Sequence, residues 1–168
     1  AVKFDVTEEN STEESGVTVV AVKLCNYAQK GIIKISKTGE VFATVTAADG
    51  VYQPVYTVQG LAGATYEIKA AEDIYTPDGT LRCSADEVVD TVTTGADGTA
   101  ESKPLYLGKY EITEMKAPDG MVINKDAHTA ELVYAGQEIE ITETAASFCN
   151  DRQKARISLS KVLEQNKQ

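Results

Sequence analysis

Five residue pairs, Asp49-Gly50, Asp78-Gly79, Asp97-Gly98, Asp119-Gly120 and Ala135-Gly136, cut the chain into short runs in which polar and apolar residues alternate. Such pairs favour tight turns, because glycine takes backbone conformations that other residues resist. The alternating runs between them read as strands: "GIIKISKT" (31–38), "YEIKAA" (66–71), "VVDTVTT" (88–94), "GKYEITEM" (108–115), "TAELVYA" (129–135) and "EIEITETAASFCN" (138–150). Long helical periodicity is missing, and the many Thr and Val residues, with aromatics at 7% and no Trp, favour strands over helices. In "SADEVVDT" a short helix competes, since Ser84 and Glu87 stand at capping-box spacing. The β-branched run that follows favours a strand there too. The spacing as a whole predicts an all-β sandwich or barrel.

The chain also contains an internal repeat. "KLCNYAQKGIIKISK" (23–37) matches "SFCNDRQKARISLSK" (147–161) without a gap, so that Cys25, Asn26 and Lys37 recur as Cys149, Asn150 and Lys161, each 124 positions later. A period of that length is a whole domain, too long for a solenoid unit. A chain of 168 residues holds one domain with a good core plus flanking pieces. The expected organisation is therefore the C-terminal strands of a preceding module in 1–29, a complete module in 30–151, and a linker with the first strand of a following module in 152–168. The acidic stretch "TEENSTEESG" (7–16) reads as a long hairpin loop of the preceding piece, and residues 40–60 read as an extra hairpin to which the sequence assigns no role.

Several function classes are disfavoured. With 26 acidic and 16 basic side chains the net charge is -10, which repels nucleic acid and anionic membrane surfaces. The first residues, "AVKFDVTEEN", lack the apolar stretch of a signal peptide, and no run approaches the roughly 18 residues of a membrane span, so no membrane insertion is expected in this segment. The chain reads as mature or as excised from something longer. Cys25, Cys83 and Cys149 are too few, and odd in number, for a disulfide framework, and they lack zinc-ligand spacing. Alternation turns Cys149 away from the core, and a disulfide from Cys83 to either of the others is not favoured. His128, the single histidine, lies beside an expected loop and reads as a solvated residue, leaving a Ser-His-Asp site without a base. The Asp-Gly turns lack the spacing of an EF-hand, and neither metal nor cofactor is expected.

Strand faces supply the chemical clue. Period-two alternation groups Ile33, Ile35 and Lys37 on one face, Tyr110, Ile112 and Glu114 on another, and Ala146, Phe148 and Asn150 on a third. An amine, a carboxylate and a carboxamide thus end three core-facing stripes. Burying each one unpaired would cost on the order of a few kcal/mol or more, so the three should meet. Burial disfavours the charged form of both an amine and a carboxylate, so that a proton can pass between Lys37 and Glu114. Neutral Lys37 could then attack the side-chain carbonyl carbon of Asn150, polarised by a hydrogen bond from protonated Glu114, and ammonia would leave. The product would be a Lys-Asn isopeptide bond, made once and without a cofactor. A satisfied buried polar cluster is the plainer reading of the same pattern. Asp151 is a second acceptor candidate, which alternation points away from the core.

"IKISKTGE", "LAGATYEI", "GKYEITEMKAPDG" and "FCN", in that order, resemble the SpaA-type or collagen-adhesin B-type (Cna B-type) domains of Gram-positive surface proteins and pilins. The resemblance covers about residues 30–151. It implies a prealbumin-like (Ig-like) β-sandwich with Greek-key topology and an intramolecular isopeptide bond. It also implies the roles of bond-forming lysine, proton-shuttling glutamate and acceptor asparagine for Lys37, Glu114 and Asn150. Thr38-Gly39 and Met121 stand where the family commonly has an acidic residue and an aromatic. The function implied is a structural repeat module of a bacterial adhesin or pilus-like stalk, extracellular and anchored to the cell wall through a region outside this chain. Its partners would be neighbouring modules of the same polypeptide. The alternative is an adhesin module whose loops, 40–60 among them, bind a host glycan or matrix protein. A transthyretin-like hydrolase is disfavoured by the single histidine and the missing metal set.

Overall fold

The computed structural model describes residues 11–20 and 27–162, which form thirteen strands and no helix. Strand β3 (Lys30–Ala48) organises the first sheet. Along one edge β13 (Ile141–Asn150) runs parallel to it, in register from Lys30 opposite Ile141 to Gly39 opposite Asn150. Along its other edge β10 (Leu105–Tyr106), β9 (Thr99–Glu101) and β4 (Val51–Gly60) pair antiparallel in succession. The second sheet has the order β12 (His128–Leu132), β11 (Gly108–Lys116), β5 (Thr65–Ala70), β8 (Val88–Thr93), all antiparallel. Two further hairpins, β1 (Ser11–Glu14) with β2 (Val17–Val20) and β6 (Ile74–Tyr75) with β7 (Leu81–Cys83), complete the set.

The two sheets close on each other through the faces that alternation assigns to the core. Ile33, Ile35 and Phe148 from the first sheet meet Tyr66, Ile68, Tyr110, Ile112 and Leu132 from the second. The Tyr66 and Phe148 rings lie 4.6 Å apart across the interface. Each large side chain buried in this way contributes roughly 1.5–3 kcal/mol, and together they set the distance between the sheets. The architecture is the all-β, prealbumin-like sandwich with Greek-key topology expected from the sequence.

Details differ from the sequence reading. Residues 11–14 and 17–20 are strands around a two-residue Ser15-Gly16 turn, where a long loop was expected over 7–16; residues 7–10 lie outside the described region. Both turn residues take positive φ, which suits a tight hairpin. The capping-box pair at Ser84 and Glu87 closes a turn instead of opening a helix: the Ser84 amide donates to the Glu87 carboxylate at 2.9 Å, and β8 follows directly. Strand β12 ends at Leu132, and β13 starts at Ile141, three residues later than expected. The 40–60 hairpin forms as β4 and the extension of β3. The strand expected to open a following module is not formed within 153–162. His128 begins β12, half-buried with its ring 4.4 Å from Phe148, instead of lying solvated in a loop. Cys83 and Cys149 are free, and Cys149 is exposed; Cys25 lies outside the described residues.

Candidate functional site

Lys37 reaches the interior because β3 alternates without a break from Ile33 onward. It is 1% exposed. Its backbone is held through both its amide and its carbonyl at the point where β9 gives way to β4 as the neighbour of β3. The Lys37 amide donates to Gly98 O at 2.7 Å, and its carbonyl accepts from the Leu61 amide at 2.9 Å. Gly98 has φ near 80°, and a side chain there would collide with the Lys37 carbonyl and come within 2.6 Å of the Gly60 Cα. Only glycine allows that approach.

Glu114 comes from the opposite sheet. It continues the Tyr110 and Ile112 stripe of β11 and is 2% exposed. The pairing of β11 with β5 slips directly after it, placing Met115 in a bulge. Bulges of this kind re-aim side chains near functional sites. Asn150, 4% exposed, is the last residue of β13 and extends the Phe148 face.

The three side chains contact one another. Lys37 Nζ lies 3.0 Å from Glu114 Oε1 and also donates to Asn150 Oδ1. Asn150 Nδ2 donates to Glu114 Oε1 at 3.0 Å and to Oε2 at 2.9 Å. Glu114 Oε2 further accepts from the Asn124 amide at 2.8 Å, and the Tyr66 hydroxyl lies 3.4 Å from Oε1. Burial, and then the negative charge of Glu114, push the Tyr66 phenol well above its usual range, which keeps it a donor. The Tyr66 and Phe148 rings wall the amine, with centroids 5.8 and 6.0 Å from Nζ. Among the described residues no buried side-chain polar atom lacks a partner.

One feature departs from the sequence reading. The carboxylate faces the amide nitrogen of Asn150, and the lysine, not the glutamate, holds the carbonyl oxygen. The amide thus turns its donors to the two Glu114 oxygens, which accept, and its acceptor to the Lys37 amine, which donates. Asp151 is exposed, off the site, with its carbonyl accepting from the Val122 amide at 2.8 Å. Tyr66, Phe148 and Asn124 were not singled out as site residues by the sequence. Tyr66 faces Glu114 only through the β5–β11 register, and Asn124 contributes a backbone amide, which carries no residue signature.

Comparison with known protein families agrees with the fold. The SpaA prealbumin-like fold domain matches over residues 55–145. The trypsin-resistant surface T6 protein of Streptococcus pyogenes serotype M6 is 32% identical over 74 residues, which are 43% of this chain and 14% of that protein. Among solved structures, the minor pilin GBS52 of Streptococcus agalactiae is 15% identical with a TM-score of 0.48, covering 80% of this chain and 49% of that one. The Bacillus anthracis TIE protein is 20% identical with a TM-score of 0.44, covering 74% of this chain and 17% of that one. The chain thus spans only a small part of the length of the curated relative it matches. With the family match covering more than half of its residues, this chain belongs to the SpaA family of prealbumin-like fold domains.

Proposed function

We propose that the chain is a structural module of a Gram-positive surface pilus or adhesin stalk, displayed outside the cell. Its proposed partners are neighbouring modules of its own polypeptide and further subunits. The module is 30–151, and it is locked by an isopeptide bond from Lys37 to Asn150 with Glu114 as proton relay. The observation that carries this reading is the dry contact of amine, carboxylate and carboxamide between the first and last strands of the module. The matched relatives, a surface protein and a minor pilin, support the location and the structural role.

The chemistry follows from the geometry. One proton passes from Lys37 Nζ to Glu114 across 3.0 Å, leaving an amine and a carboxylic acid. A carboxylic acid can donate, so a half-turn of the Asn150 carboxamide gives its oxygen to Glu114 and exposes Cγ to the amine lone pair. Nζ then bonds to Cγ, and the carbon becomes tetrahedral. Nζ loses a second proton, which Glu114 relays to the departing nitrogen; the Cγ–Nδ2 bond breaks and ammonia leaves. Amine and amide have become a substituted amide and ammonia, with no other reactant. The rings of Tyr66 and Phe148 exclude the water that would compete with the amine.

The test is the mass of the denatured protein together with peptide mapping. The expected result is a deficit of one ammonia, with the Lys37 and Asn150 peptides joined. The full calculated mass with separate peptides would reduce the three residues to a buried polar cluster.

A further inference from the structure

Strand β3 continues past the site. Beyond Gly39, where its parallel partner β13 stops, residues 40–48 pair only with β4 among the described strands, and the resulting ribbon turns at Asp49-Gly50. At about 3.3 Å per residue it extends roughly 30 Å beyond the end of β13. From Val41 to Gln59 it carries one charged residue, Asp49, in a chain that is 25% charged. Phe42, Val45, Tyr52 and Val58 are all exposed, Tyr52 at 75%. Edge strands are commonly protected by charge, whereas here Pro54 interrupts the free edge of β4 and the apolar side chains remain open. The ribbon therefore offers its faces to a partner more readily than its edge.

The chain leaves the module at this same end, because β13 runs parallel to β3. Its exit is fastened to the base of the ribbon and to the neighbouring loop. The Arg152 guanidinium lies 3.5 Å from the Tyr56 ring centroid and donates to Glu40 at 2.8 Å. The Gln153 amide donates to Gly120 O at 2.9 Å. By the internal repeat, Lys154 is the equivalent of Lys30, the first residue of a module. Four residue steps separate it from Asn150, a span of at most about 14 Å. A module starting there cannot avoid a ribbon twice that length at the same end.

The entry side shows how the join is held. Gln29, the equivalent of Gln153, uses its carboxamide on one loop of the module that it enters: Nε2 donates to Gly136 O at 3.0 Å and to Ile139 O, and Oε1 accepts from the Ala135 amide at 2.9 Å. Beside this loop Tyr75, Tyr134 and Ile139 stand exposed around a cavity of about 1070 Å³.

We propose that the 40–60 ribbon is a clasp for the module that follows in the same polypeptide. Its apolar side chains pack on the entry end of that module, while Arg152 and Gln153 fix the join. This rests on the reading that residues 154–161 open such a module. The clasp makes consecutive modules a stiff rod instead of beads on a tether.

Hydrogen exchange tests it, on the 168-residue chain and on the native polypeptide extended through the complete following segment. The expected result is several-fold slower exchange of amides 41–58 in the extended chain, lost in a Phe42→Ser, Tyr52→Ser variant whose following segment stays protected. A protected following segment with unchanged ribbon exchange overturns the clasp and leaves the module reading standing. A following segment that gains no protection of its own overturns both. Ribbon protection in the 168-residue chain that rises with protein concentration would mean association between separate molecules, and would overturn the clasp as well.

Discussion

Glu114 compensates two partners that would otherwise be buried at a cost, the Lys37 ammonium and the Asn150 amide. A buried ion pair adds little net stability, because desolvation offsets most of the attraction, but removing one member strands the other charge. Two variants separate these effects. Asn150→Ala removes the proposed acceptor and keeps the Lys37–Glu114 pair; Glu114→Ala removes the relay and leaves the lysine without its counter-charge. Both are expected to lack the crosslink by mass. Glu114→Ala is expected to unfold more easily in urea by about 3–5 kcal/mol than Asn150→Ala, the usual cost of breaking a buried pair. Equal midpoints would mean that Lys37 escapes to water when its partner is gone. Relative to Asn150→Ala, which keeps the ion pair, the bond itself, closing a loop with a sequence separation of 113, should add about 4–5 kcal/mol by the chain-entropy argument used for disulfides.

At the scale of the element, the turn before β9 positions the lysine. Gly98 is left-handed and packed against Lys37 and Gly60, whereas Gly120, with φ near 76°, faces open space. Gly120→Ala should therefore cost about 1–2 kcal/mol, the strain of a left-handed alanine. Gly98→Ala should cost clearly more, since strand β3 must move as well, and it should slow crosslinking in a time course of mass spectra. Equal costs would show that the close approach is unimportant. Asp97 in the same turn accepts from the Thr99 hydroxyl at 2.7 Å and its amide at 2.9 Å, which holds its carboxyl below the usual range. A folded pKa below the unfolded one gives stability that is present above the unfolded value and lost as pH falls through the folded one. Asp97→Asn should thus reduce the loss of stability on acidification below about pH 4, as read from denaturation midpoints at a series of pH values. The legibility of the sequence divides along the same lines. Ile33-Ile35-Lys37 and Tyr110-Ile112-Glu114 showed their faces through period two alone, which requires no knowledge of the partner strand. The parallel match of β3 with β13, the pairing of Tyr66 with Glu114, and the extension of β3 to Ala48 depend on contacts between distant residues, which alternation cannot encode. The orientation of the Asn150 amide lies beyond alternation as well, because it is set by Lys37 and Glu114, which reach it from different strands.

For the whole molecule the decisive fact is that the first and last strands of the module are parallel neighbours. Tension entering at Lys30 and leaving at Asn150 pulls β3 and β13 along each other, so their ladder is loaded in shear. With a bond from Lys37 to Asn150, force passes down seven residues of β3 and across the new amide, and the segment 38–149 drops out of the load path. Without it, every hydrogen bond between the strands must resist together, and failure releases the entire module. Single-molecule stretching between residues outside 30–151 distinguishes the two. The wild-type chain should show no extension step from residues 38–149 at forces that unfold ordinary β-sandwiches. Lys37→Ala should show one step for the whole module, longer by more than a hundred residues of contour at about 3.3–3.6 Å each. A long step in the wild-type chain would show that the module carries load through hydrogen bonds alone, however close the lysine and asparagine lie.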